Sequence, residues 1–352
     1  MVCESPTEPG RSRHRSWSVL LALVLSAATL GQGACWRGQS STLPSALSDE
    51  EFWRLSTSLS EPAGEFTHSE NLVSNETQFV HQARIVRAAG GVYVGVGPEQ
   101  NFSFIARLRP QLAFIVDIRG ENRSLHLAYK ALFELAATRA DFVSRLFSRE
   151  RPAGLGPETT VHDLFTAYAT APPSAAILQA TRELVRERLL RERGLPLPPE
   201  DVAWIDYVLT SFHHDGPAIH YARSSPNDPP GPAYQSLMTQ ADITGQSRSF
   251  LSSEEDFAFV KALHLQNAIV PVVGDFAGPT ALRRIGDYLR GHGARVTAFY
   301  ASNVEVYLNR QKQAIFCQNL ATLPYGARTW FVGSKSLQPF AAKLEACRPP
   351  AQ

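Results

Sequence analysis

The sequence predicts an α/β protein: a Rossmann-like, doubly wound, mostly parallel sheet with a helical insertion. Three observations carry that prediction. Continuously apolar runs alternate with amphipathic stretches of helix length, and strands covered on both faces must be apolar throughout. The stretch "GGVYVGVGPEQNFSFIARLRPQLAFIVDIR", Gly90 to Arg119, has the order strand, glycine turn, helix, strand and terminal acid. The same alternation resumes after Ser253, as right-handed parallel crossovers require.

Each element has a local reason. Arg11, Arg13 and Arg15 precede the apolar run Val19 to Leu30 and the small residues "GQGAC", the layout of a secretory signal peptide over 1–34. The run is shorter than the ~20 apolar residues of a membrane span. Cys35 offers a lipid anchor as a variant. The protein is therefore expected to be exported, periplasmic or lipid-anchored, with membrane contact only through the leader or that anchor. It is cytoplasmic if the true start lies further downstream. A polar linker, 35–47, follows, and the α/β domain is expected over 48–352.

Ser48 with Asp49, Glu50 and Glu51 starts a helix that Pro62 and Gly64 end. Asn75 with Gln78 suggests a capping box for a second helix. Strand Val92 to Val96, helix Phe102 to Arg109, strand Leu112 to Ile118 and a helix from Ser124 to Thr138 come next. From about 141 to 250 the chain reads as a helical insertion. Its segment "SAAILQATRELVRERLLRER" is amphipathic with a solvated arginine face, and "GLPLPPE" and "SSPNDPPGP" are proline-rich connectors. Strands Ala268 to Val273, Arg295 to Tyr300 and Thr329 to Val332 complete the sheet.

Formal net charge is +1, so composition gives no sign of a phosphate-neutralising surface for nucleic acid. Four cysteines are present, of which Cys317 and Cys347 fall in the folded part; one disulfide and two buried thiols are both open. No CxxC or zinc spacing occurs. His213, His214, Asp215 and His220 cluster in "SFHHDGPAIHY", as a metal site reached through a loop or as a polar cleft lining. "HSENLVSNE" gathers His68, Glu70, Asn71, Asn75 and Glu76 before the second helix, for capping or for a cleft. The N-x-S/T matches at Asn75, Asn101 and Asn122 are chance, because a glycan at Asn101 would block the glycine turn. No GxSxG turn supports a serine triad.

Ligands of open α/β sheets bind outside the carboxyl ends of the strands, where strand order reverses. Gly95 and Gly97 permit a sharp turn there, and Asp117 stands where an acid meets ribose hydroxyls. A dinucleotide fingerprint needs a third glycine at Gln100, and Glu99 would repel a pyrophosphate. A sulfonium cofactor without phosphate suits "GVGPE" better.

"YVGVGPEQN" with Asp117 resembles the first motifs of class I S-adenosylmethionine-dependent methyltransferases, and "VVGDF" resembles a later one. "HSENLVSNE", "GGVYVGVGPEQN", "IVPVVGDFAGP" and "FYASNVEVYL" are similar to a bacterial family, often exported, with a methyltransferase-like fold. The resemblance implies S-adenosylmethionine as cofactor, with Gly95 and Gly97 at its methionine part, Asp117 at the ribose and Asp275 at the adenine amine; Glu99 is a cofactor-binding candidate on its own chemistry, a carboxylate that a sulfonium or ammonium group welcomes. It places substrate-facing residues at Ala301 to Asn303. Asn303 from that stretch and Glu76 from the polar segment before the second helix are the candidate catalytic groups. The chain departs from the methyltransferase pattern at Tyr93 and Glu99 and lacks an "NPPY" motif. Two functions are expected from this reading. One is an S-adenosylmethionine-dependent methyltransferase-like enzyme whose substrate, a small molecule or another, the sequence does not name. The other is an exported binding or interaction protein that keeps a Rossmann-like ligand cleft without turnover.

Overall fold

Apolar runs become strands where glycine or proline bounds them. Val92–Gly95 (β1), Leu112–Asp117 (β2), Ile269–Val273 (β3), Val296–Ser302 (β4), Tyr325–Gly333 (β5) and Leu337–Pro339 (β6) form one sheet in a computed structural model that describes residues 41–66, 70–86, 90–221 and 230–348. The strand order is β3-β2-β1-β4-β5-β6. All neighbours are parallel except β5 and β6. The chain is α/β with a six-stranded, Rossmann-like sheet, and order reverses between β1 and β4.

β1, β2 and β3 are buried at every position, as strands sandwiched between helical layers must be. β6 is the one strand without a sequence expectation. It closes a hairpin over Gly333 to Ser336, and Pro339 at its end is tolerated because the strand lies at the sheet edge.

Helix starts follow their caps. Ser48 Oγ accepts from Glu51 N at 3.1 Å to open Asp49–Ser58, and Ser253 does the same for Glu254–Leu265. The second helix departs from expectation, running Phe79–Ile85 rather than from Asn75. The competing bonds explain it: Ser74 Oγ accepts from Glu76 N (3.1 Å) and donates to Gln100 Oε1 (2.5 Å), so 74–78 drapes over the glycine turn instead of coiling. Helix Gly120–Leu135 starts four residues earlier than expected.

The insertion is helical: Arg139–Phe147, Val161–Thr170, Ala175–Arg186 continuing as a π-helix over Glu187–Glu192, Pro199–Asp215 and Tyr234–Thr239. Its arginine face is not wholly solvated. Arg193 reaches buried Glu134 (2.9 Å) and Asp49 (2.7 Å), tying the insertion to helix Gly120–Leu135 and to the first helix. Behind them Phe102, Tyr129, Phe133, Phe142, Phe250 and Phe257 pack edge-to-face and stacked, the arrangements the ring quadrupole favours.

The last residues of the expected linker are bound to the domain, Thr42 N to His292 O and Leu47 N to Gln266 O, both at 2.9 Å. Cys317 and Cys347 form a disulfide. The expected signal peptide, Cys35 and His68 lie outside the described residues. Among the described residues no helix is long and apolar enough to cross a membrane.

Candidate functional site

The carboxyl ends of β1, β2, β3 and β4 surround a cavity of about 320 Å³, within the range of small-molecule sites. Gly97 and Pro98 line it from the first turn, Asp117, Ile118 and Arg119 from the second, and Gly274, Asp275 and Phe276 from the third. Tyr300, Ser302 and Asn303 enter from β4, and Asn71, Ser74 and Asn75 from the draped segment. Gly97, Asp117, Asp275 and Asn303 thus meet around one space.

The glycine turn is held from below by Asn101. Its amide nitrogen donates to the carbonyls of Val96 (3.0 Å), Gly97 (3.0 Å) and Pro98 (2.8 Å), while Oδ1 accepts from Tyr93 OH at 2.9 Å. In a trans peptide N–H and C=O point opposite ways, so the Gly97 N–H faces away from Asn101. Gly97 has φ +82°, which glycine adopts without strain. Gly95 plays a different part: a Cβ there would lie 2.1 Å from Asn101 Oδ1, so its smallness admits the side chain that holds the turn. Gly95 packs against Asn101 and is not among the residues lining the cavity.

Asn101 and Asn122 are both buried, and Asn122 Nδ2 also reaches Gly97 O at 3.3 Å. His126 Nε2 lies 2.9 Å from the same carbonyl. Burial pushes this imidazole down to about 4, so it is neutral and donates its Nε2–H.

Glu99 does not face the ligand space. It is 0% exposed, and both its oxygens accept from Ser74 N (3.3 and 3.2 Å). Burial pushes its carboxyl up to about 8, so it is mostly protonated at neutral pH. The charge expected to discriminate against a pyrophosphate is therefore absent.

Asp117 faces the cavity with its carboxylate already engaged. Arg119 Nε and backbone N meet Oδ1 at 3.0 Å, and Nη2 meets Oδ2 at 3.1 Å. A carboxylate has about four acceptor sites, so room remains for one further hydroxyl. Arg119 also donates to Asn71 O (2.9 Å) and lies over the Phe66 ring at 5.8 Å. Asp275 accepts from Ala277 N (2.8 Å) and pairs with Lys312 (3.0 Å), leaving two acceptor sites.

Glu76 stands behind Ser302, whose Oγ donates to Glu76 Oε1 at 2.6 Å. Burial pushes the Glu76 carboxyl up, while the Ser302 bond and the Lys335 charge act the other way. Gln100 knits this floor together, accepting from Tyr300 OH (3.0 Å) and donating to Glu76 O (2.9 Å).

Sequence reasoning missed Lys312 and the lining residues Phe66, Tyr221 and Tyr307, and it gave no role to Arg119; Ser302 falls within the expected substrate-facing stretch Ala301 to Asn303. Arg119 had a signal, since it follows a strand-ending acid by two residues. Lys312 and Tyr221 had none, because tertiary packing alone brings them in. His213, His214 and Asp215 are consecutive on the end of one helix, and His214 Nδ1 meets exposed Asp215 at 2.7 Å. Among the described residues no group of three His, Cys, Asp or Glu is placed to hold a metal.

A family model described as a domain of unknown function, DUF7790, matches residues 71–162 and 232–342, more than half of the chain, and the chain belongs to that family. The match is interrupted over the middle of the helical insertion. A search of curated proteins gives no match.

Proposed function

We propose that this member of the DUF7790 family binds S-adenosylmethionine in the crevice between β1 and β4 and is a methyltransferase-like enzyme acting on a small molecule. One observation carries the reading: the turn at Gly97, the acid–apolar pair Asp117 and Ile118, and the acid–apolar pair Asp275 and Phe276 surround a single cavity at the reversal of strand order. Ile118 and Phe276 offer apolar walls to a flat base. The remaining acceptor sites of Asp117 and Asp275 suit a sugar hydroxyl and an exocyclic amine, neutral donors that need lone pairs rather than net charge.

The cofactor, when bound, supplies an electrophilic methyl group. The residues of the chain bind and orient. Arg119 holds Asp117 in place, Asn101 fixes the turn, and Ser302 with Asn303 faces the second ligand, backed by Glu76 as the proton acceptor. Calorimetric titration of the purified protein with S-adenosylmethionine, S-adenosylhomocysteine and NAD tests the reading. Saturable binding of either sulfur compound is expected. NAD binding alone would reassign the crevice to a dinucleotide, now that Glu99 carries no repelling charge.

A second reading, an exported binding protein without turnover, is favoured by the Cys317–Cys347 disulfide, a bond that persists mainly in oxidising compartments. Cell fractionation separates the two. Protein recovered only outside the cytoplasm, where the methyl donor is not made, supports the second.

A further inference from the structure

Two loops around the cavity rest on one pair of helices, Arg310–Ala321 and Phe340–Ala346. The loop after β3 supplies Gly274, Asp275 and Phe276 to the lining, and the loop after β4 supplies Val304, Tyr307 and Leu308. Helix Arg310–Ala321 holds the β3 loop through Lys312, Phe316 and Asn319, which recur at the spacing of a single helix face. Lys312 Nζ meets Asp275 Oδ2 at 3.0 Å. The Phe316 ring stacks on Phe276 with centroids 5.7 Å apart and 7° between planes. Asn319 Nδ2 donates to the carbonyls of Phe276 (2.9 Å) and Gly278 (2.8 Å), and its Oδ1 accepts from Arg283 Nε at 2.8 Å, so three bonds fix this buried amide.

The helix buries Phe316, Asn319 and Leu320 alone, a narrow face for twelve residues, and two of those three serve the loop. Helix Phe340–Ala346 supports the other loop. Its Lys343 pairs with Glu305, next to Val304, and lies over the Phe316 ring at 6.0 Å. Cys317 follows Phe316 directly, and Cys347 stands one turn beyond Lys343. Their disulfide therefore joins the two helices at the residues that support both loops. Both cysteines retain solvent exposure.

We propose that the Cys317–Cys347 disulfide is a redox control on the cavity. Closed, it keeps helix Arg310–Ala321 where Lys312, Phe316 and Asn319 fix the β3 loop. Opened by a dithiol, it frees that helix and, with it, the loop that carries Asp275 and Phe276. In the exchange, one thiolate of the dithiol attacks a cysteine sulfur, forms a mixed disulfide and releases the other cysteine as a thiolate. The second thiol then attacks the mixed disulfide, so the dithiol leaves as a cyclic disulfide, two electrons pass to the protein and both cysteines are reduced. That a freed loop weakens a nucleoside rests on the reading of the cavity given above; that the loop loosens does not.

A bond that only restricts the unfolded chain would leave the folded loop as it is. The deciding quantity is local order in the folded protein. Glu61 holds Thr280 and Ala281 at the far end of the loop and is independent of the bond. The reporting amides are those of Ala277 and Gly278, which donate to Asp275 at 2.8 Å each. Phe102 N, which donates to Glu99 O beside the glycine turn, is the comparison.

The test is amide hydrogen exchange of the folded full-length protein, read by NMR before and after dithiothreitol, with a thiol count to confirm reduction and calorimetric titration of S-adenosylhomocysteine into both forms. Reduction is expected to speed exchange at Ala277 and Gly278 tenfold or more, to change Phe102 less than threefold and to weaken S-adenosylhomocysteine tenfold or more. Asn319→Ala is expected to speed the same two amides with the bond closed. The double variant Cys317→Ser, Cys347→Ser is expected to match the reduced parent and to ignore dithiothreitol.

Unchanged exchange at Ala277 and Gly278 in fully reduced protein overturns the proposal. An equal rise at Phe102 makes the bond a general stabiliser and also overturns it. A bond that the folded protein keeps in millimolar dithiothreitol, or whose opening unfolds the chain, is structural and overturns it too. A loosened loop with S-adenosylhomocysteine held equally tightly in both forms severs the bond from the cavity. A loosened loop with no S-adenosylhomocysteine binding in either form removes the nucleoside reading and supports the redox control of the loop.

Discussion

At the residue scale, the two glycines of the turn make separable predictions. Gly97→Ala meets no atom within 4 Å, so its cost is conformational, about 1–2 kcal/mol for a left-handed residue. Gly95→Ala drives a methyl into Asn101 and dislodges the side chain that holds three carbonyls. Thermal melting is expected to rank Gly95→Ala as the more damaging, and a reversed ranking would remove Asn101 as the organiser of the turn.

Glu99 gives a pH signature. The folded state keeps a proton that the unfolded chain releases near 4.5, so stability falls as pH rises from there to about 8, by on the order of 5 kcal/mol in all. Buried His126 and His264 act oppositely. Folding excludes protons that unfolded imidazoles bind below 6.5, so their contribution rises with pH up to that value. Of these three groups only Glu99 still titrates differentially between 6.5 and 8. The melting temperature is expected to decline across that window, and Glu99→Gln to flatten the decline. A parent protein that stabilises across the window would contradict the neutral, buried carboxyl.

At the scale of elements, the loops after β2 and β3 carry look-alike acids with unlike consequences. Asp117→Asn takes from buried Arg119 the carboxylate that it meets through its guanidinium at both oxygens, a loss of about 3–5 kcal/mol expected in chemical denaturation. Asp275→Asn breaks a pair with half-exposed Lys312 and should cost well under 1 kcal/mol. Both substitutions should weaken nucleoside binding. Equal stability losses would mean that the Asp117–Arg119 pair is solvated.

The strands were legible because burial on both faces leaves an apolar signature, and their carboxyl ends fixed where Asp117 and Asp275 would stand. The start of the helix at Phe79 was not legible. Asn75 and Gln78 form a plausible cap in isolation, and only the long-range bonds of Ser74 to Glu99 and Gln100 forbid it. The state of Glu99 was equally hidden, since local sequence places an acid at a helix start without saying whether it faces solvent or the core. Glu61 illustrates the same limit. It caps helix Ala281–Gly291 by accepting from Thr280 N (2.6 Å) and Ala281 N (2.5 Å), more than two hundred residues away in sequence.

At the scale of the whole molecule, the Cys317–Cys347 disulfide ties helix Arg310–Ala321 to the end of the last helix, Phe340–Ala346, and so secures the β5–β6 edge. A separation of 30 residues constrains the unfolded chain by about 3–4 kcal/mol. The double variant Cys317→Ser, Cys347→Ser should lose that much in urea denaturation. An unchanged midpoint would mean that the bond does not form in solution.

The account turns on an adenosine seated at the reversal of strand order. The most direct measurement is a crystal structure of the protein grown with S-adenosylhomocysteine. The predicted result is a base between Ile118 and Phe276, with one sugar hydroxyl on the acceptor site that Arg119 leaves on Asp117. A nucleoside bound elsewhere, or an empty crevice at millimolar ligand, would contradict it.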